Sequence, residues 1–421
     1  MVGNAGLAVG SSLTGSGDIL VTGAGSLLRD GRSLFVNPND WTVLSVGSNG
    51  AFSGNGSVLV TDGGTIEYNR IVTGFGSTGS ITNNGGVFQF TTATPFITNN
   101  NFAGGSIVVE DGIISFRNIT NADPTITGTV FTNITFVGNN TFMLNAASNA
   151  TGLASYTFDS GSPATTYQRL ALHGTNPHWR STTLTIASGG AMLVTNAIAT
   201  VGAALTIDGE ARVVNSHVTY QSNVVLSGSY LSDPSTNTFL ADLTVTESGS
   251  LAGGVGDLFD FKKSLLVQST NNMVFDLSLS TVSFSGGGNH TNAVTGGDFG
   301  SNSFPSANFA YGELKLETSA DQVYFISGGF TNGMAGSNAL YVSLLSLPDE
   351  DTNFVADLHS PFNIYYLLSE HQPGNAYLND LTYSLDGGGL LLPVIPEPST
   401  LALVFAALGA LFVRRTFRAR N

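Results

Sequence analysis

Apolar residues occupy alternate places in short pieces that return along the chain. Leu184-Thr185-Ile186, Leu205-Thr206-Ile207, Val224-Val225-Leu226, Leu243-Thr244-Val245 and Leu265-Leu266-Val267 are spaced by about 20 residues, the length of one unit of a repeat protein. Leu277-Ser278-Leu279 follows at a shorter interval. Upstream, Gly56-Ser57-Val58-Leu59-Val60-Thr61-Asp62-Gly63-Gly64-Thr65-Ile66 is similar to Gly105-Ser106-Ile107-Val108-Val109-Glu110-Asp111-Gly112-Ile113-Ile114, and the stretch from Asp18 to Leu27 is an earlier copy. A period of two marks strands, and the Gly, Asn, Asp or Ser that soon follows marks turns. One such unit cannot bury its own apolar face. Parallel stacking of units gives a continuous core of Ile, Val, Leu and Phe, with Asn, Ser and Thr aligned at the corners. The pattern therefore predicts an all-β chain, with a parallel β-helix over 1–308 made of coils of about 20 residues. A tandem of β-sandwiches competes with it, because strands every 8 to 12 residues or so describe those equally well. Asp123-Pro124 and Asn176-Pro177 interrupt the period within 117–180.

From about residue 309 the texture changes. Lys315, Glu317, Asp349, Glu350 and Asp351 add charge, and Tyr and Leu become commoner. A stacked array needs a cover over its last unit, which predicts a β cap and spacer over 309–391. Composition agrees with this picture: charged residues are 10% of the chain against an ordinary share of about 25%, so Ser, Thr, Asn and Gly must cover the surface. The net charge of −15 repels phosphate backbones, and nucleic acid is not an expected partner. There are no cysteines, which excludes disulfides, thiolate metal sites and a cysteine nucleophile.

The last segment, 392–421, has three parts in order: Pro396-Glu397-Pro398, an apolar run carrying Leu401, Leu403, Val404, Phe405, Leu408, Leu411, Phe412 and Val413, and then Arg414, Arg415, Arg418 and Arg420. Basic residues directly after an apolar run are retained on the cytoplasmic side by the positive-inside rule. The run predicts a single hydrophobic transmembrane helix, shorter than the roughly 20 residues of a stable span, which suits a signal that is processed. The order resembles a PEP-CTERM sorting signal, joined to an autotransporter-like β-helical repeat body. The resemblance covers about the last 30 residues. It implies recognition of Pro396, Glu397 and Pro398 by an exosortase, export from a bacterial cell, transient anchorage in the inner membrane, and final residence in the envelope, at the cell surface or in an exopolysaccharide matrix. The residues from Met1 to Gly10 show no basic n-region and no apolar h-region of a secretory signal. Export predicts such a signal upstream of a truncated or misplaced start. An autotransporter passenger is disfavoured, because an apolar run and arginines stand where a membrane barrel belongs.

Candidate chemistry is sparse. Gly256-Asp257-Leu258-Phe259-Asp260-Phe261-Lys262-Lys263 offers two carboxylates and two cations, the ingredients of acid/base work on glycans, although neighbouring opposite charges more often form a solvated corner. Gly253-Gly254-Val255-Gly256-Asp257 is one defective copy of a calcium nonapeptide, insufficient for a site that takes ligands from stacked repeats. The histidines His173, His178, His217, His290, His359 and His371 lack metal-ligand spacing. No P-loop, dinucleotide fingerprint or nucleophile elbow occurs in its required setting. The expectation is therefore a structural or adhesive surface protein with no catalytic residues, cofactor or metal. A secreted polysaccharide lyase or hydrolase on the same scaffold is the alternative.

Overall fold

The computed structural model describes residues 183–269, 275–302, 308–328 and 338–394 continuously, with residue 304 and shorter pieces between 6 and 179. Four strands from Ser155–Phe158 to Val224–Leu226 begin a nine-stranded sheet that runs on through Leu243–Val245 and Leu265–Val267 to Leu358–His359. Each strand in it pairs in parallel with its successor one repeat later, for instance Leu205 with Val224 and Val224 with Leu243. Repeats are 19 to 22 residues long from Leu184 to Leu265 and longer on either side.

Eight further strands form a closed circuit. They are β1 (Gly190–Val201), β2 (Glu210–Val214), β3 (His217–Tyr220), β4 (Ser229–Asp233), β5 (Thr236–Phe239), β6 (Ser250–Ala252), β7 (Leu258–Phe261) and β8 (Phe275–Phe284). One side climbs from β1 through β2, β4 and β6 to β8. The other returns through β7, β5 and β3 to β1. The two long strands close the ring because each runs through a corner and pairs on both sides of it. In β1, Ala191 to Thr195 pair with β2, and Ile198 to Val201 pair with β3; Asn196 between them has φ 49°, the left-handed conformation Asn tolerates.

This corrects the expected fold. The parallel order is present, but the hydrogen-bonded circuit is that of a closed parallel β-barrel and not an open β-helical solenoid with separate faces. Among the described residues only 3-10 segments occur, such as Thr352–Asp357 and Pro373–Leu378, and no helix there is long and apolar enough to cross a membrane; the expected hydrophobic helix is not among them. Pro396, Glu397, Pro398, the apolar run and the arginines lie outside the described residues.

Past the ring, β9 (Ala310–Leu316), β10 (Ala339–Ser346), β11 (Asn363–Leu367) and β12 (Leu390–Val394) extend the ladder of β7 and β8 in parallel, so pairing runs through position 309. Tyr383–Ser384 then folds back antiparallel onto Leu390 and Leu391.

Alternation explains the core. Within β3, β5, β7 and β8, every second residue points inward, which stacks Tyr220, Phe239, Phe261 and Phe284 at 4.8, 5.1 and 5.7 Å between ring centres. All four are buried, and such stacked pairs contribute beyond their apolar area. At another corner the backbones touch. A Cβ on Gly228 would lie 2.0 Å from the Gly209 carbonyl oxygen, and one on Gly209 would lie 2.3 Å from that of Ala187. Only glycine fits this column of close approach.

Candidate functional site

The corner before β3, β5 and β7 is held by a ladder of side chains. Ser216 Oγ accepts from the Ala197 amide at 3.1 Å, Ser235 Oγ from the Ser216 amide at 3.0 Å, and Asp257 Oδ1 from the Ser235 amide at 2.7 Å. Each side chain thus satisfies a backbone donor of the repeat before it, which a sharp corner would otherwise leave unpaired. The Asp257 carboxylate, only 2% exposed, also accepts from Ser232 Oγ at 2.5 Å and from the Gly254 amide at 2.6 Å. Ser232 in turn accepts from Asn237 Nδ2, whose Oδ1 accepts from Tyr230, whose hydroxyl meets that of Tyr220 at 2.8 Å. Burial pushes Tyr230 well above the ordinary phenol range, and the charges of Tyr220 and Asp257 push the same way. Asp257 is thereby committed to structure, and it is separated from its sequence neighbours Asp260 and Lys262, which face outward.

Those two belong to a polar strip on the outer face of β7, β8, β9 and β10. Pairing aligns Asp260 with Ser283, Ser283 with Lys315 and Lys315 with Ser346. Alongside, Thr281 is aligned with Glu313. Three small groups result. Asp260 and Lys262 form an ion pair at 3.0 Å and both bond Ser285 Oγ. Lys315 and Glu317 pair at 2.8 Å, with Ser283 reaching Glu317. Glu313 accepts from Thr281 at 2.8 Å and from Ser346 at 2.5 Å. Ser285 donates to Asp260 and accepts from Lys262, so its lone pair is engaged by an ammonium and it is not set up as a nucleophile. Lys263 projects to solvent, and only its carbonyl takes part in the next feature.

That feature is a buried pair. His290 and Asp321 have side chains 1% and 0% exposed and lie 3.1 Å apart. Asp321 also accepts from the amides of Gly287 and Thr318 and from Thr318 Oγ1. The other ring nitrogen of His290 is 3.2 Å from the Lys263 carbonyl. The pair therefore ties three successive repeats. A second imidazole, His359, stacks on Tyr324 at 4.2 Å and places Nδ1 2.9 Å from Asp386, leaving Nε2 buried without a hydrogen-bond partner. Burial raises the nearby Asp357 carboxyl, and His359 opposes that shift. This is an oriented imidazole, but no nucleophile accompanies it. Of the remaining histidines, His173 bonds the Thr195 carbonyl, His217 is exposed and His371 pairs with Glu370. Among the described residues no group of three His, Asp or Glu could hold a metal ion.

No family model, curated protein or solved structure matches the chain. Its function must be argued from the residues themselves. Sequence reasoning found Asp260 and Lys262 but missed Glu313, Lys315 and Glu317, which lie more than 50 positions further on by number and become neighbours only through the register of β7, β8 and β9, roughly 5 Å per strand.

Proposed function

We propose that the chain is an exported structural or adhesive protein of a bacterial surface or extracellular matrix, sorted through its C-terminus by an exosortase. The observation that carries this reading is the tail. Pro396-Glu397-Pro398 comes one residue after β12, the last strand described, and is followed by an apolar run and four arginines. The body supports a structural role in a second way: carboxylates that could do chemistry are occupied by backbone amides, hydroxyls or a lysine. The apolar run and Arg414, Arg415, Arg418 and Arg420 hold the chain at the inner membrane until the tail is processed.

The decisive experiment expresses the full chain behind a supplied signal peptide, with and without a cognate exosortase, and follows the C-terminus by fractionation and mass spectrometry. Loss of residues after about Pro398 only when the exosortase is present is the expected result. An intact chain in both hosts removes the sorting assignment. A polysaccharide lyase or hydrolase is the second reading. Asp260, Lys262, Glu313, Lys315 and Glu317 on one face favour it, and release of new reducing or unsaturated ends from a glycan by the purified chain is what it requires.

A further inference from the structure

We infer that the segment 373–389 is a terminator, which closes three strand edges at the end of the described stack and so keeps a second copy of the chain from adding to it. A parallel ladder ends in a strand whose outer amides and carbonyls lack partners, and such a row recruits any strand that reaches it. Three rows of this kind arise here. One continuous segment meets all of them.

The first belongs to β10, which outruns its neighbour. Its pairing with β11 ends at Val342 opposite Tyr366. Beyond that point the Leu345 amide donates to Asn375 Oδ1 at 3.0 Å, and Asn375 Nδ2 donates to the carbonyls of Ser343 at 2.9 Å and Leu367 at 2.7 Å. A side-chain amide carries the donors and the acceptor of a peptide group, so the buried Asn375 stands in for the missing strand. Tyr377 adds a bond from its hydroxyl to the Leu345 carbonyl at 2.8 Å.

The second row is the outer edge of β12. The Leu368 amide donates to the Val394 carbonyl at 3.3 Å, so Val394 directs its backbone groups at β11. Residues alternate in this respect along a parallel ladder, and Leu391 and Pro393 therefore direct theirs away. Leu391 is met by Tyr383 in the antiparallel pairing. Pro393 has no N–H to offer, and stands where an edge strand tolerates proline.

The third row ends the nine-stranded sheet at Leu358–His359. Asp386 bridges His359 there, and its carbonyl accepts from the Ser360 amide at 2.7 Å. The chain then reverses through Gly387 and Gly388 at φ 108° and 97°, conformations open to glycine. Tyr366 donates from its hydroxyl to the Leu381 carbonyl at 2.8 Å, and Ser369 donates to Asp380 through its amide and hydroxyl at 2.8 and 2.7 Å. These bonds pin the segment to the ladder it covers. The occupant it excludes is a second copy, because the edge of β12 is its own partner across a two-fold axis.

The test measures the mass of the full chain in detergent solution by light scattering, with the detergent subtracted. The parent should contain one chain at all concentrations. Y383P/P393V, which removes the covering strand and restores an edge donor, should move to twice that mass as concentration rises. Adding L392K, a charge on the edge strand, should return it to one chain. A folded Y383P/P393V that keeps the parent mass overturns the inference, as does a parent whose own doubling is abolished by L392K. If the double variant unfolds, hydrogen exchange on the parent decides: the amides of Leu345 and Leu391 should exchange at least about a hundredfold more slowly than that of Val255 in an exposed turn, and equal rates overturn the inference. None of these readings involves exosortase, so failure here leaves the sorting test untouched, and failure there leaves this one standing.

Discussion

Replacing Asp257 isolates the contribution of the corner ladder. In Asp257→Ala three donors lose their acceptor: the Ser235 amide, the Gly254 amide and Ser232 Oγ. The hydroxyl can turn elsewhere. The Ser235 amide cannot, because its residue is buried, and an unsatisfied buried donor costs about 1–3 kcal/mol, at the upper end when the lost partner was a carboxylate. Gly254 is more open, and water can replace its bond at about 1 kcal/mol or less. The alanine variant should thus lose about 3–4 kcal/mol, part of it from the cavity left by the side chain. Asp257→Asn keeps Oδ1 for Ser235 and Ser232 and loses only the Gly254 bond, so it should lose about 1–2 kcal/mol. Urea unfolding followed by far-UV circular dichroism reads both numbers, provided the slope m stays constant across the three proteins. If the alanine variant lies within about 0.5 kcal/mol of the parent, or no less stable than the asparagine variant, the ladder does not stabilise the corner as described.

Removing one member of the buried pair with His290→Ala should destabilise by about 3–5 kcal/mol, since Asp321 is left in the interior without its ring partner; an unfolding midpoint unchanged from the parent would refute this. Gly228→Ala forces a methyl group against a carbonyl oxygen at 2.0 Å and should prevent soluble expression or lower the melting temperature by well over about 5 °C, whereas Ala252→Gly on the outer face should have a small effect. Burial pushes Tyr341 up to about 12 and holds Tyr220, Tyr311, Tyr365, Tyr366 and Tyr377 higher still. A raised phenol binds its proton more tightly when folded, so this stability is fully present below about pH 10 and is lost as pH climbs from there toward 12 and beyond. Phenolate absorbance in a pH titration should accordingly rise together with loss of the circular dichroism signal, and full ionisation of a still-folded chain would contradict the burial.

The repeat was legible because the nine-stranded sheet carries its signature in short contiguous pieces such as Leu243-Thr244-Val245. The circuit was not, because its closure depends on β1 and β8 continuing through a corner, and nothing local distinguishes Asn196 as a bend within a strand from Asn215 as a bend between strands. Their side chains in fact bond at 2.7 Å. Charge was visible but its partners were not. Asp257 and Asp260 look equivalent in sequence, yet one stands at a corner where backbone donors converge and the other at an outward strand position. The His290 and Asp321 pair joins residues 31 apart, a spacing that includes an enlarged loop and breaks the shorter period on which the sequence reading relied.

The ladder of Ser216, Ser235 and Asp257 sets a rule for how such a chain can change length. Every side chain in it serves the amide of the preceding level, so deleting a few residues inside a level puts the wrong atom at the corner for all levels it touches. Adding or removing one complete level hands the amide to the next oxygen unchanged. Changes of a whole level therefore keep the corner amides satisfied, and changes smaller than a level leave donors without an acceptor.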